Sequence, residues 1–302
     1  MSKWFGFKDF DGHYIFNIFG LKIGFRHKCN FKYKPAFEYG LTKEKRSAQI
    51  IVSLTSFPGR ISCAHLSINT LLQQTMKPDR LILWLAEEQF PKKEKELPTN
   101  LTELIKLGLE IKWCEDLKSY KKLLPALKEF PNDIIVTADD DIYYEPDWLE
   151  SLYKAYKKHN CIICQRPRRL YLNNDKINVY TSRKSEGMDL SKPDYFNQML
   201  GGTGCLYPPH SLYKDVLNYN IAKELLPTND DIYFWAMAVL NKTKIGVAKG
   251  FRGNIYQMDT GENTLGNINT HLEQQEKKDP FEIMCNDYSQ LMEILKSEVY
   301  NG

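Results

Sequence analysis

Three consecutive carboxylates, Asp139, Asp140 and Asp141, close an apolar run from Ile134 to Val136. A short apolar run bounded by turn residues reads as a buried strand. Acids at its tip cannot enter the core unpaired, because an unpaired buried carboxylate is very costly. At the carboxyl end of a strand in an open α/β sheet they would face the ligand crevice. Carboxylate oxygens there can hold a hard divalent cation, Mn2+ or Mg2+, with a phosphate-bearing substrate completing the shell. The plainer alternative is an acidic turn capping the helix that starts near Glu145, although capping needs one acid rather than three.

Other residues of chemical interest lie at element boundaries. Arg60 comes after the turn Ser56-Phe57-Pro58-Gly59, and Lys121 and Lys122 lie at the start of the helix before the acid-tipped run. Each can equally be a solvated surface charge. Asp230 and Asp231 open an amphipathic pattern from Asn229 to Leu240. Acids at a helix start stabilise it in any case. Gly201-Gly202-Thr203-Gly204 is a tight passage where backbone can come close to a ligand, since glycine has no Cβ.

The elements around these residues alternate. Gln49–Thr55, Leu81–Leu85, Leu109–Trp113 and Ile134–Val136 read as buried strands, with helical patterns after Ile61, near Leu101–Leu107 and over Ser119–Phe130. Pro146–Lys158 is a helix with early acids and late bases, and Cys161–Gln165 and Lys244–Ala248 are further strands. Strands alternating with helices argue for an α/β fold with a doubly wound, mostly parallel sheet and helices on both faces. Residues 166–193 fade into a polar loop of the kind that covers a site. The stretch after Ala248 reads as irregular until a helix near Tyr288–Val299.

The division expected is a segment over 1–35, a linker over 36–48, and a domain over 49–302 whose halves meet at 165/166. In residues 1–35, Lys3, Lys8, Lys22, Arg26, Lys28, Lys32 and Lys34 outnumber Asp9 and Asp11, and aromatics are dense. Two short strands around Gly20 suggest a hairpin. Basic and aromatic residues together suit the surface of an anionic membrane; packing on the main domain is the alternative. The net charge of +3 over 302 residues gives no sign of a nucleic-acid partner. Seven scattered cysteines show no metal spacing. Cys161 and Cys164 would point to opposite faces of a strand. Free thiols, no apolar stretch near ~20 residues and no signal-peptide pattern favour a cytoplasmic chain, peripheral on the inner face of the cytoplasmic membrane if residues 1–35 bind it.

Over residues 49–165 the phrases IIVSLTSFPGRI, KPDRLILWL, SYKKLLPAL and TADDDIYYEPDWL, in this order, resemble the GT-A glycosyltransferases, and most nearly bacterial enzymes that build capsule or lipooligosaccharide chains. The resemblance implies a nucleotide-sugar donor, UDP more than GDP or CMP, and a glycan or lipid-linked glycan acceptor. By the family's DxD pattern, Asp139 would face the ribose or a metal-bound water and Asp141 the metal, with Asp140 between them. Three acids in a row leave that register open by one. A metal would act as a Lewis acid on the leaving diphosphate, and Lys121 or Lys122 would reach it as a point charge. Thr55, Ser56 and Phe57 would lie against the base, with Arg60 near the nucleotide. The second acid of the pair, Asp231, matches the family's base for an inverting transfer, with Asp230 as the other candidate. Gly201–Gly204 would pass the acceptor sugar. His271 is a candidate late metal ligand.

A sugar nucleotidyltransferase is a competing enzyme, but usually has a glycine-rich, lysine-containing loop after the first strand, which TSFPGRI lacks. A glycosidase needs two carboxylates flanking the bond and no nucleotide pocket. A carbohydrate-binding module needs neither three acids on a strand tip nor a basic pair.

Overall fold

The computed structural model describes residues 38–181, 188–248 and 279–301, together with the backbone of strands at 5–10, 13–18, 21–26 and 256–257. Strands β1 (Phe5–Phe10), β2 (His13–Ile18) and β3 (Leu21–Arg26) make an antiparallel sheet in that order. The two strands expected around Gly20 are β2 and β3, and a third precedes them.

The described part of the stretch expected to be a linker is fastened to the domain from Glu38 onward, whose carbonyl accepts from the Lys77 ammonium. The Gly40 and Thr42 amides donate to the Leu72 and Pro78 carbonyls at 3.0 and 2.9 Å. Arg46 pairs with Asp79 at 2.6 Å.

The domain is built on β4 (Ile50–Thr55), β5 (Arg80–Ala86), β6 (Leu109–Cys114), β7 (Ile134–Thr137), β9 (Ile162–Cys164), β13 (Cys205–Tyr207) and β14 (Ile245–Val247). They form a seven-stranded sheet in the order β14-β9-β13-β7-β4-β5-β6, and the short strands β8 (Ile142–Tyr143) and β12 (Asn197–Met199) lie outside it. All are parallel except β13, which runs antiparallel to β7 and β9.

Side chains alternate across a strand, so continuous apolar runs serve two faces at once. On one face Ile50, Val52 and Leu54 pack with α1 (Ile61–Leu72), α2 (Thr99–Thr102) and α4 (Trp148–His159). On the other, Ile51, Ile82 and Ile135 pack with α3 (Leu124–Glu129), α5 (Tyr219–Leu225), α6 (Asp230–Leu240), α7 (Pro280–Asp287) and α8 (Ser289–Asn301). Cys161 belongs to the first cluster and Cys164 to the second, so the two thiols do face opposite ways.

Several elements differ from the sequence reading. The helix expected over 101–107 is the single turn α2 and then a 3-10 turn, Glu103–Leu107. The helix expected over 119–130 is split into a 3-10 turn, Lys118–Lys122, and α3, with Pro125 in its first turn. Proline lacks the N–H that would continue an earlier helix. Residues 167–179, read as loop, contain the antiparallel strands β10 (Pro167–Asn173) and β11 (Lys176–Val179). Asn174 and Asp175 turn between them with φ of 48° and 59°; such paired left-handed residues suit a two-residue hairpin. Helix α6, expected to be amphipathic, is buried on nearly every side. Helix α7, which opens within a stretch read as irregular, is capped by Asp279, whose side chain accepts from the Phe281 amide at 2.9 Å.

Candidate active site

Strands β4 and β7 are parallel neighbours, so the turns at their carboxyl ends emerge at the same edge of the sheet. After β4 the chain turns through Ser56–Gly59, and the Arg60 and Ile61 amides both donate to the Phe57 carbonyl at 2.9 Å. That turn starts α1 and sends the Arg60 side chain across the tip of β7. Its guanidinium meets two acids, Nη2 lying 2.9 Å from Asp140 Oδ1 and Nη1 2.5 Å from Asp141 Oδ2. The Phe57 ring lies 5.3 Å from the guanidinium carbon. Ser56 Oγ donates to Asp140 Oδ2 at 2.5 Å. Burial pushes the Asp140 carboxyl up to about 7, although Arg60 and Ser56 both pull it down. Thr55 spends its hydroxyl on the Trp84 carbonyl at 2.8 Å.

The lysine pair divides. Lys122 Nζ is buried 3.1 Å from Asp139 Oδ1 and 3.2 Å from Asp230 Oδ2. Its backbone is held by Ser53, whose hydroxyl donates to the Lys122 carbonyl at 2.6 Å. Burial alone would lower the Lys122 ammonium, but Asp139, Asp230 and Asp231 together hold it well above its ordinary value. Lys121 turns away to Asp116, at 3.0 Å. Of the two candidates, only Lys122 meets the strand-tip and helix-start acids.

Asp230 and Asp231 both sit in the first turn of α6. Ser119 Oγ donates to Asp230 Oδ1 at 2.8 Å. The Gly201 amide donates to Asp231 Oδ1 at 2.9 Å. Desolvation first, then the Asp230 carboxylate, raises the Asp231 carboxyl well above the usual range, against Lys122.

The glycine passage lies between the two acidic groups. A Cβ on Gly201 would stand 2.6 Å from Asp231 Oδ1 and 3.2 Å from Lys122 Nζ. One on Gly202 would stand 2.8 Å from Asp139 Oδ2. Glycine is needed here for close approach. Gly204 has φ +107°, and its would-be Cβ meets the Trp148 ring at 2.5 Å. The Trp148 indole donates to the Thr203 carbonyl at 2.9 Å.

Two site residues were missed in the sequence. Ser119 orients Asp230. Tyr144 ties strand tip to glycine passage: its oxygen accepts from the Asp139 amide at 2.7 Å, and its O–H donates to the Gly202 carbonyl at 3.0 Å. Burial holds this phenol well above its ordinary value, so it stays a donor. The adjacent Tyr143-Tyr144 pair was the available signal. His271 lies outside the described residues.

The donor set at the β7 tip is carboxylate oxygen, which suits a hard divalent cation. Among the described residues no three His, Cys, Asp or Glu converge as a ligand set. A cation here would use one or two carboxylates and complete its shell with substrate phosphate and water, the usual pattern for magnesium.

Residues 120–219 match the model of glycosyl transferase family 2, about a third of the chain. The matched stretch holds Lys122, Asp139–Asp141 and the glycine passage, and stops short of Asp230 and Asp231. The sequence resemblance to glycosyltransferases, drawn over 49–165, overlaps it. Among solved structures, S. aureus TarS is 14% identical with a TM-score of 0.46, over 84% of this chain and 66% of that one. TarS in complex with UDP is 15% identical with a TM-score of 0.45, over 68% of this chain and 59% of that one. A CMP:2-keto-3-deoxy-manno-octonic acid synthetase complexed with CTP is 12% identical with a TM-score of 0.44, over 76% of this chain and 99% of that one. The chain thus spans less than two thirds of each of these TarS structures, which themselves comprise residues 1–349 of TarS. None of these structures is similar enough for its ligand or activity to be carried to this chain. No curated protein matches the sequence.

Proposed function

We propose that this chain, with a glycosyl transferase family 2 segment at its centre, moves a sugar from a nucleotide-diphosphate donor to a hydroxyl of a glycan acceptor, with inversion at the anomeric carbon. The observation that carries the reading is the two-glycine turn with Asp139 against Gly202 and Asp231 against Gly201, and Lys122 ion-paired to Asp139 and Asp230. One acid marks the donor side, at the carboxyl end of β7, and the other the acceptor side, at the start of α6.

In this reading Asp231 takes the proton of the acceptor hydroxyl. The hydroxyl oxygen forms a bond to the anomeric carbon as that carbon's bond to the diphosphate breaks. The electron pair leaves on the diphosphate, toward the cations Lys122 and Arg60. A carboxyl of raised pKa is a stronger base once ionised, which suits this role. The Gly201 amide and the packed helix behind Asp231 fix its carboxylate. Asp139 and Asp141 would hold a bound Mn2+ or Mg2+, which would supply Lewis-acid stabilisation of the leaving diphosphate.

UDP as the nucleotide and surface polysaccharide as the product rest on the resemblance of the sequence phrases. Residues 1–35 are the proposed contact with an anionic membrane, on their charge and aromatic content. The test is to incubate the protein with a panel of nucleotide sugars, Mn2+ and glycan acceptors and to detect released nucleotide. Release of nucleoside diphosphate only with acceptor supports transfer. Release of pyrophosphate from a nucleoside triphosphate and a sugar phosphate would instead show a nucleotidyltransferase.

A further inference from the structure

Arg60 holds the β7 tip in a way that a donor substrate would have to change. Its two terminal nitrogens are committed to Asp140 and Asp141, at 2.9 and 2.5 Å. Its third nitrogen, Nε, is buried with no hydrogen-bond partner. Asp140 Oδ1, although ion-paired, lacks an aligned hydrogen bond as well. A guanidinium satisfied on one side only is not a finished structural bridge, since a buried donor left unmade carries its full desolvation penalty. The side chain also keeps 16% exposure, so it is not sealed in the core.

The carboxylate it covers most closely, Asp141, is also one that the proposed metal site needs. A guanidinium 2.5 Å from Asp141 and a divalent cation on the same carboxylate would repel each other at short range, so each weakens the other's hold. A planar guanidinium is equally suited to carboxylate and to phosphate. A metal ion and a sugar-nucleotide diphosphate bring opposite charges of similar size, so their joint arrival leaves the local balance little changed. Either one alone does not.

We propose that Arg60 is a displaceable counter-cation, which closes Asp140 and Asp141 to a divalent metal in the donor-free protein and passes to the diphosphate when donor and metal bind together. The inference rests on the metal-dependent reading of the site. It makes metal affinity depend on nucleotide, and it gives Arg60 one role before the donor arrives and another after.

The test is Mn2+ binding to the full chain, measured by calorimetry and by the loss of the free-ion electron paramagnetic signal. Wild type, Arg60→Gln and Arg60→Lys are compared with Mn2+ alone and with Mn2+ plus UDP, after circular dichroism and melting confirm that each is folded. Removing a cation from a pair of carboxylates should tighten binding of another by about tenfold or more. Arg60→Gln should therefore bind Mn2+ alone at least that much more tightly than wild type. Arg60→Lys, which reaches the acids with one point charge, should fall between them. UDP should tighten Mn2+ binding to wild type more than to Arg60→Gln. Equal or weaker binding of Mn2+ alone by Arg60→Gln overturns the inference. If wild type then still binds Mn2+ with UDP, and Asp141→Asn does not, the metal-dependent reading stands without it. If no form binds Mn2+ with or without UDP, both fall.

Discussion

The Lys122 ammonium stands 3.2 Å from the Asp230 carboxylate while also lying 3.1 Å from Asp139. It comes from the short turn before α3, and Asp230 from the first turn of α6. The contact joins the half of the chain that holds the strand tip to the half that supplies the candidate base.

Lys122→Met should remove the only positive charge that these acids share in the described residues. Breaking a buried ion pair from one side costs about 3–5 kcal/mol, so the unfolding midpoint in urea should fall clearly. Turnover should fall with it in the fraction that remains folded. Lys121→Met should lower stability through Asp116 yet leave turnover per folded molecule within a few-fold. If Lys121→Met proves the more damaging to turnover, the assignment of Lys122 is wrong.

Asp231→Asn should lower turnover by ~10²–10⁴-fold, the usual cost of losing a general base, while nucleotide affinity stays within a few-fold. The raised Asp231 carboxyl must be ionised to act. Activity of the wild type should therefore climb as pH rises through the upper carboxylate range toward neutrality, and the Asn variant should lose that climb. Asp230→Asn should cost less; the reverse order would make Asp230 the base.

The Asp140 carboxyl gives a stability signature. Its folded value, pushed up to about 7 by burial, lies above the ordinary value near 3.9. The folded state then binds a proton more tightly than the unfolded chain. This contribution is fully present below pH ~4 and is lost as pH rises toward about 7. Asp140→Asn mimics the neutral acid, so its stability relative to wild type should improve between pH 4 and 8 in denaturant titrations. No trend, or the opposite one, would show that Arg60 and Ser56 outweigh burial.

The glycines of the passage should separate function from stability. Gly202→Ala places a methyl 2.8 Å from a flexible carboxylate end, so activity should fall with little change in melting temperature. Gly204→Ala meets the Trp148 ring and a left-handed backbone, so it should destabilise by about 1–3 kcal/mol. Melting curves beside donor hydrolysis or transfer rates distinguish the two.

Removal of residues 1–35 should weaken binding to anionic vesicles, and the binding by the full chain should weaken with salt, since exposed charges are screened. Equal sedimentation of the two forms with vesicles rejects a membrane role for that segment.

Much of the fold was legible because β4, β5 and β7 are buried on both faces and so appear as unbroken apolar runs. The acids stood out because carboxylates rarely close such a run. The division of labour between Lys121 and Lys122 was not legible, since it depends on a 3-10 turn and on Ser53 holding the Lys122 carbonyl. Nor was Arg60's hold on Asp140 and Asp141, which joins residues 80 and 81 positions apart only because β4 and β7 are sheet neighbours. The β10–β11 hairpin was missed because its strands are largely exposed or half-exposed and so carry no unbroken apolar run; the Asn-Asp turn was its one clear mark.

Strand β13 also bears on how the molecule is made. It pairs with both β7 and β9, yet it reaches the sheet only when Cys205–Tyr207 have been synthesised. Until then the strand that carries the acids has an open edge, the kind of surface that recruits other strands. Domains emerge from the ribosome in order, and long-range pairings close slowly. A nascent chain stopped before residue 205 should therefore be sticky and protease-sensitive at Ile134–Thr137. One extended through Tyr207 should protect that strand.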